Sequence, residues 1–310
     1  MENQENPIYI CPLVDFTFKR LFGTEQNKSL LIAFLNNTIS SDTGVITDLQ
    51  YLQQEQIGQF EGEKNVIFDI YCTNQQGDRF IIEMQRSKQH FFANRTIAYV
   101  GRAISNGLRK GDRTYAIPAI YSINLLDFQT NMFPNKDEYM WQVKFKDNEN
   151  RIFSEKVVLY FFKLSNFAAQ PKEKRQRFEN QIEKWLYYLK NIQNMDVEDF
   201  QNEKDPVFRQ LLEQCQYSKL NDMEQEDYKK SLLEYVGIRD AVECAREDGQ
   251  EEGYNKGLKE GRKEGREEGR EEERRQVALK LLSLGMDRST IKEITGLNDK
   301  ELEDLNAGKL

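Results

Sequence analysis

The stretch Val66-Ile67-Phe68-Asp69-Ile70-Tyr71-Cys72-Thr73-Asn74-Gln75-Gln76-Gly77-Asp78-Arg79-Phe80-Ile81-Ile82-Glu83-Met84-Gln85-Arg86 decides the fold of this chain. Two apolar runs, 66–73 and 79–86, flank Asn74–Asp78, which is rich in the residues that reverse a chain. Regular antiparallel pairing across that turn puts Thr73 opposite Arg79, Tyr71 opposite Ile81 and Asp69 opposite Glu83. Directly opposed residues bring their Cβ atoms to about 4.5–5.5 Å. Side chains two apart share a sheet face, so Gln85 joins Asp69 and Glu83 on one side. Phe68, Ile70, Phe80, Ile82 and Met84 are expected to fill the other. Like charges opposed in a sheet repel, and a divalent metal is the simplest compensation.

Working outward, Phe16, Phe18, Leu21, Phe22, Leu30, Leu31, Phe34 and Leu35 recur at near-helical spacing over 15–39, with a break around Gly23-Thr24. After the hairpin, 88–110 reads as an amphipathic helix, 116–128 as a buried strand and 157–164 as another. This order predicts an α/β core over 1–165, a central mixed sheet flanked by helices. A helical appendage is expected over 166–248, interrupted near Pro171 and Pro206.

The chain is acidic, with a net charge of −8, which argues against coating nucleic acid non-specifically. A local basic stripe survives within it. Residues 86–113 carry Arg86, Lys88, Arg95, Arg102, Arg109, Lys110 and Arg113 against Asp112 alone. Lys88, Arg95, Arg102 and Arg109 are spaced by seven and fall near one helix face, with Tyr99 a turn from Arg95. A basic helix face taken alone is most often merely solvated. Beside two candidate metal-binding acids it reads as a phosphate track.

Four scattered cysteines (Cys11, Cys72, Cys215, Cys244) offer neither metal-ligand spacing nor a disulfide framework. With His90 the single histidine, zinc sites built on several histidines are excluded. His90, beside Phe91-Phe92, reads as a surface or packing residue. The chemistry must run on carboxylates, amides and cations. The polar, acidic N-terminus is unlike a signal peptide, and no apolar run approaches the roughly 20 residues of a membrane span, so a cytoplasmic protein with no membrane partner is expected.

The C-terminal part carries a repeat, with Gly249, Gly253, Gly257, Gly261, Gly265 and Gly269 at every fourth position among nearly balanced charges over 249–275. Each glycine costs a helix about 1 kcal/mol relative to alanine. A solvated linker of marginal helicity is the favoured reading. The other is a helix whose glycine row admits a second helix, making the tail a route to a homo-oligomer. Residues 276–310 form a small helical segment with the shape of a helix-turn-helix, and Asn298 and Glu301 have capping-box spacing. Its last piece bears Asp299, Glu301, Glu303 and Asp304, a poor balance for meeting phosphate, so packing or partner binding is the expectation there.

Several of these motifs together resemble a known family. Asp15-Phe16-Thr17-Phe18-Lys19-Arg20-Leu21-Phe22, Glu63-Lys64, Asp69-Ile70, Ile82-Glu83-Met84-Gln85, Arg95-Thr96-Ile97-Ala98-Tyr99 and the strand Ile117–Phe128 are similar, in order and spacing, to the recombination-promoting nuclease and transposase family. That family belongs to the PD-(D/E)XK nuclease superfamily. The glycine-repeat tail and the closing segment from Leu284 to Leu305 resemble tails in the same family. The resemblance implies a PD-(D/E)XK nuclease-like core with a helical C-terminal extension, and a DNA endonuclease using Mg²⁺, with Mn²⁺ as the alternative ion. It makes Asp69 and Glu83 the metal-binding acids and Asp15 an auxiliary acid. Gln85 stands where most of the superfamily has lysine, and an amide can orient a water but carries no charge. Lys19, Lys64 and Lys88 are the candidates for the missing cation. The competing readings are a non-catalytic DNA-binding protein on the same fold and a scaffold that self-associates through its tail.

Overall fold

Asn74 closes the hairpin with its own side chain. Its Oδ1 accepts hydrogen bonds from the backbone N–H of Gln76 (3.0 Å) and Asp78 (2.9 Å), and Gly77 takes φ +85°, where a side chain would be strained. The computed structural model describes residues 7–56, 66–88, 91–108, 116–130, 132, 135, 137–168 and 178–306. Its strands are β1 (Leu49–Tyr51), β2 (Glu55–Gln56), β3 (Val66–Ile67), β4 (Ile70–Asn74), β5 (Arg79–Gln85), β6 (Ile120–Leu126), β7 (Met140–Lys146) and β8 (Ile152–Lys163). Six of them form one mixed sheet in the order β1-β4-β5-β6-β8-β7, and β2 pairs with β3 apart from it. Across the turn, Tyr71 pairs with Ile81 and Thr73 with Arg79, the register predicted from the turn length. β5, β6 and β8 run parallel, while β4 and β7 lie antiparallel to their neighbours.

Helices cover both faces. Against one lie α1 (Asp15–Phe22) and α2 (Lys28–Thr43), separated at Gly23-Thr24 as expected. On the other lies α3 (Phe92–Ser105). The first layer also takes in α4 (Gln181–Asn191) and α6 (Pro206–Gln214), with α5 (Val197–Asn202) between them. Trp185 is completely buried there, its ring 5.4 Å from that of Phe34 and 4.9 Å from that of Phe208. Burying each such side chain contributes about 1.5–3 kcal/mol. The break in packing expected near residue 165 is therefore absent: the helices that follow share one core with the sheet. They are not an appendage, because the sheet face they cover is too apolar to stand in water.

The register of the hairpin sorts its side chains. Phe80, Ile82 and Met84 face the α1/α2 layer, and Ile81 faces α3. Phe68 departs from the expectation. The run 66–73 is not one strand but breaks at Phe68-Asp69, between β3 and β4. The bend turns Phe68 onto the α3 side, 4.7 Å from the Tyr71 ring and 5.3 Å from that of Tyr99. Arg79 ties α3 to the hairpin: its guanidinium donates to Tyr71 Oη (3.1 Å), Ala103 O (2.8 Å) and Asn106 O (3.2 Å), satisfying carbonyls at the end of the helix.

α3 is shorter than the predicted 88–110, so Lys88 precedes it and the seven-residue stripe is not one helix face. Arg109 lies outside the described residues, as do Lys110, Arg113, His90, Glu63, Lys64 and Pro171. β1 and β7 were not expected. β1 is three residues long, and β7 alternates Trp141, Val143 and Phe145 with polar residues on the sheet edge.

The chain divides into two units, Met1–Asp240 and Ala241–Leu310. α7 (Asp222–Ser283) contributes its first turns to one and the remainder to the other. The glycine repeat is thus helical throughout, not the marginal linker favoured from composition. Lys263 stands four before Glu267 and Glu271 four before Arg275, but like charges four apart, such as Arg262 and Arg266 or Glu264 and Glu268, are more numerous, so charge spacing does not account for the helix. In the second unit, α7 ends at Gly285 (φ +76°) and α8 (Arg288–Thr295) at Gly296 (φ +70°), before α9 (Asp299–Asn306). Ala278, Ile291, Leu297, Leu302 and Leu305 form the core of this small helical unit. The capping box is present: Glu301 N–H donates to Asn298 Oδ1 (3.0 Å) and Asn298 N–H to Glu301 Oε2 (2.8 Å). Among the described residues no helix is long and apolar enough to cross a membrane.

A Cβ built at Gly257, Gly261 or Gly265 meets nothing within 4 Å. Replacing all three with alanine should stabilise the helix by about 1 kcal/mol per site. Amide hydrogen exchange over 255–270 should slow by roughly fivefold for each substitution. Unchanged exchange would show that the glycines cost this helix nothing.

Candidate active site

Three residues of β5 and the bend before β4 build the site. Because strand side chains alternate, Glu83 and Gln85 point to the α3 side of the sheet, opposite Ile82 and Met84. The bend at Phe68-Asp69 brings Asp69 to the same place. Asp69 N–H donates to Glu83 Oε1 (3.1 Å), and Met84 N–H donates to Asp69 Oδ2 (2.9 Å). Each acid therefore accepts a backbone N–H from the other's strand. Gln85 Nε2 donates to Glu83 Oε2 (3.2 Å), and Arg95 Nη2 donates to Gln85 Oε1. A cavity of about 220 Å³ is lined by Asp15, Asp69, Glu83, Gln85, Arg86, Arg95, Tyr99 and Ile238 among others.

Asp15, in the first turn of α1, enters at the rim, where Lys19 Nζ (3.0 Å) and Arg86 Nη2 (3.5 Å) neutralise it. Ile238 comes from the start of α7. That helix is fastened by Arg20 to Glu224, by Cys11 N–H to Tyr228 Oη (3.2 Å), by Phe16 N–H to Ser231 Oγ (3.2 Å) and by Tyr235 Oη to Asp127 Oδ2 (3.0 Å).

The electrostatics carry the chemical content. Glu83 is 5% exposed and Gln85 6%. Burial, and then the Asp69 charge, push the Glu83 carboxyl up to about 8. Burial also raises Asp69, an effect the Met84 N–H opposes and the Asp15 charge reinforces. Tyr99 is raised by burial and then by Glu83. Two carboxylates thus share a dry place with too little positive charge, a donor set that suits a divalent cation. Among the described residues no three His, Cys, Asp or Glu side chains gather into a metal cage. An ion held here by Asp69 and Glu83 would keep water or phosphate oxygens in its other positions, the habit of Mg²⁺.

Against this geometry the model of the PD-(D/E)XK nuclease family transposases matches residues 12–245. The chain belongs to that family. Residues 271–307 match the C-terminal HTH domain of the Rpn/YhgA-like nuclease family, which covers the end of α7, α8 and α9. The helix-turn-helix shape read from the sequence is therefore a family feature. No curated protein and no solved structure gives a significant match.

Within the family frame, the structure brings Asp69, Glu83, Gln85, Arg95 and Tyr99 together, with Asp15 at the edge. Lys88 is exposed outside α3, and Arg102 lies nearly two turns beyond Arg95 toward the Arg79-bound end of the helix. Three contributions were missed from sequence: the Met84 amide, the Arg86 partner of Asp15, and Ile238. Only Arg86 carried a signal, as a cation directly after the site strand.

Without a metal, the Glu83 shift has a definite sign. Its carboxyl holds a proton more firmly in the folded chain than at its ordinary value of 4.5. Its contribution to stability is full below pH 4.5 and is lost as pH rises toward about 8. Glu83→Gln keeps the carbonyl acceptor and loses the charge. In chelator at pH 9 it should be more stable than the parent by on the order of 2–4 kcal/mol, with no difference at pH 4.5. Denaturant titrations at both pH values measure this.

Proposed function

We propose that the protein is a metal-dependent DNA endonuclease that hydrolyses phosphodiester bonds, with Asp69 and Glu83 as metal ligands and Mg²⁺ or Mn²⁺ as the ion. The observation that carries this reading is the convergence of the buried Glu83 near the end of β5 and the half-buried Asp69 of the neighbouring bend, two under-neutralised carboxylates. When bound, the ion supplies Lewis acidity toward a phosphoryl oxygen and lowers the pKa of water. The protein's own groups do the rest. The Met84 and Asp69 amides hold the two acids in a fixed attitude. Gln85 orients Glu83, and Lys19 and Arg86 keep Asp15 from repelling the incoming phosphate.

In the reaction, a water oxygen forms a bond to phosphorus and the bond to one sugar oxygen breaks. The water's proton leaves to solvent and the departing alkoxide takes one, giving a phosphomonoester and a hydroxyl. Tyr99, in the cavity wall, would face the strand being cut, while Lys88 and Arg102, which lie away from the cavity, would at most meet phosphates further along the DNA. The match to a C-terminal HTH domain favours a second place for DNA there, in place of the packing role that its acidic last helix suggested. Recombination or transposition is the setting in which such cutting would serve.

Purified protein should nick or cut plasmid DNA with Mg²⁺ or Mn²⁺ and stop in chelator. Asp69→Asn and Glu83→Gln should each slow cutting about 10²-fold or more while binding DNA normally in Ca²⁺. Equal cutting by these variants would overturn the assignment. Binding without any metal-dependent cleavage would favour a DNA-binding scaffold on the same fold.

A further inference from the structure

Position 85 holds an amide, yet a cation reaches it. Arg95, in the first turn of α3, donates from Nη2 to Gln85 Oε1, while Gln85 Nε2 donates to Glu83 Oε2 at 3.2 Å. A guanidinium has only donors, and an amide has one acceptor oxygen. With Arg95 on the oxygen, the NH₂ group of Gln85 must face Glu83. The guanidinium carbon lies 5.8 Å from the centre of the Tyr99 ring, in the wall of the cavity that holds both acids. Among the described residues the other candidates for a site cation are less well placed. Lys19 is paired with Asp15 at 3.0 Å, and Lys88 is exposed ahead of α3. Lys64 lies outside the described residues.

Resting on the nuclease reading above, we infer that Arg95, acting through Gln85, supplies the positive charge that a lysine at position 85 would carry. Arg95 is a positioning residue for Gln85 and Glu83, and its charge lies where the phosphoryl oxygens of the cut strand would gather. Arginine keeps its proton throughout the working pH range, so it stabilises charge and donates no proton to the leaving alkoxide. That proton comes from water.

The test separates rate from binding. Cleavage is followed under single turnover with Mg²⁺, and DNA affinity is measured in Ca²⁺, for the full-length protein. Arg95→Gln should lower the cleavage rate about 10²-fold, with affinity changed by no more than about threefold. Arg95→Lys, which keeps the charge, should cut about tenfold faster than Arg95→Gln. Gln85→Lys combined with Arg95→Gln should return the rate to within about tenfold of the parent. If Arg95→Gln loses affinity as steeply as rate, Arg95 is a simple phosphate contact and the inference falls. It falls too if the double variant is no faster than Arg95→Gln. A parent protein that cuts, with Arg95→Gln cutting equally well, overturns this inference alone. A parent that does not cut overturns the proposed function and this inference with it.

Discussion

Two acids, Glu83 buried on a strand and Asp69 half-buried in the bend beside it, set the terms for everything around them. Glu83 and Asp69 are each held by an amide of the opposite strand, so neither can swing away from the other's charge. Such a pair is costly unless protons or cations share the site. The surroundings answer with graded measures. Backbone donors orient the oxygens, Gln85 and Arg95 bring polarity and charge from the α3 side, and Lys19 and Arg86 neutralise Asp15 at the rim. What they leave uncompensated is what the proposed divalent ion would answer.

The fold makes this constraint tolerable by fixing the elements that meet there. Arg79 at one end of β5 holds the last turn of α3, which sets where Arg95 falls relative to Gln85 at the other end. On the opposite face, Phe22, Phe34, Trp185 and Phe208 weld α1, α2, α4 and α6 into one layer, so Asp15 is carried on a rigid support. The second unit follows different physics. Its glycine-rich helix gains little from burial until a short apolar core gathers around Ile291.

The hairpin and its register were legible because period-two alternation and the turn-forming residues of Asn74–Asp78 are local signals. The same signals put Glu83 and Gln85 on one side of the sheet, while Asp69 reaches them through the bend, outside the paired register that was expected to set it opposite Glu83. Phe68 was misplaced because alternation assumes an unbroken strand, and the bend that interrupts it leaves no mark in composition. Lys88 was misassigned for a related reason: seven-residue spacing marks a helix face only where the helix exists, and α3 begins at Phe92. The reach of Arg95 to Gln85 and the arrival of Ile238 at the cavity depend on elements distant in sequence, which no local pattern encodes. The glycine repeat was read through intrinsic propensity, which favours a linker, whereas the segment is helix within α7.

The N-terminal segment also has a consequence in time. Tyr9 bridges to Gln216, and Cys11 donates to the hydroxyl of a tyrosine 217 residues further along. During synthesis at about 5–20 residues per second, the first turns of the protein wait roughly 10–45 s for these partners to emerge. Through that interval Ile10, Leu13 and Val14, fully buried in the finished chain, lack the part of their core that Cys215, Tyr217 and Tyr228 bring. The growing polypeptide is then at its most vulnerable to aggregation, and to whatever chaperone attends the ribosome.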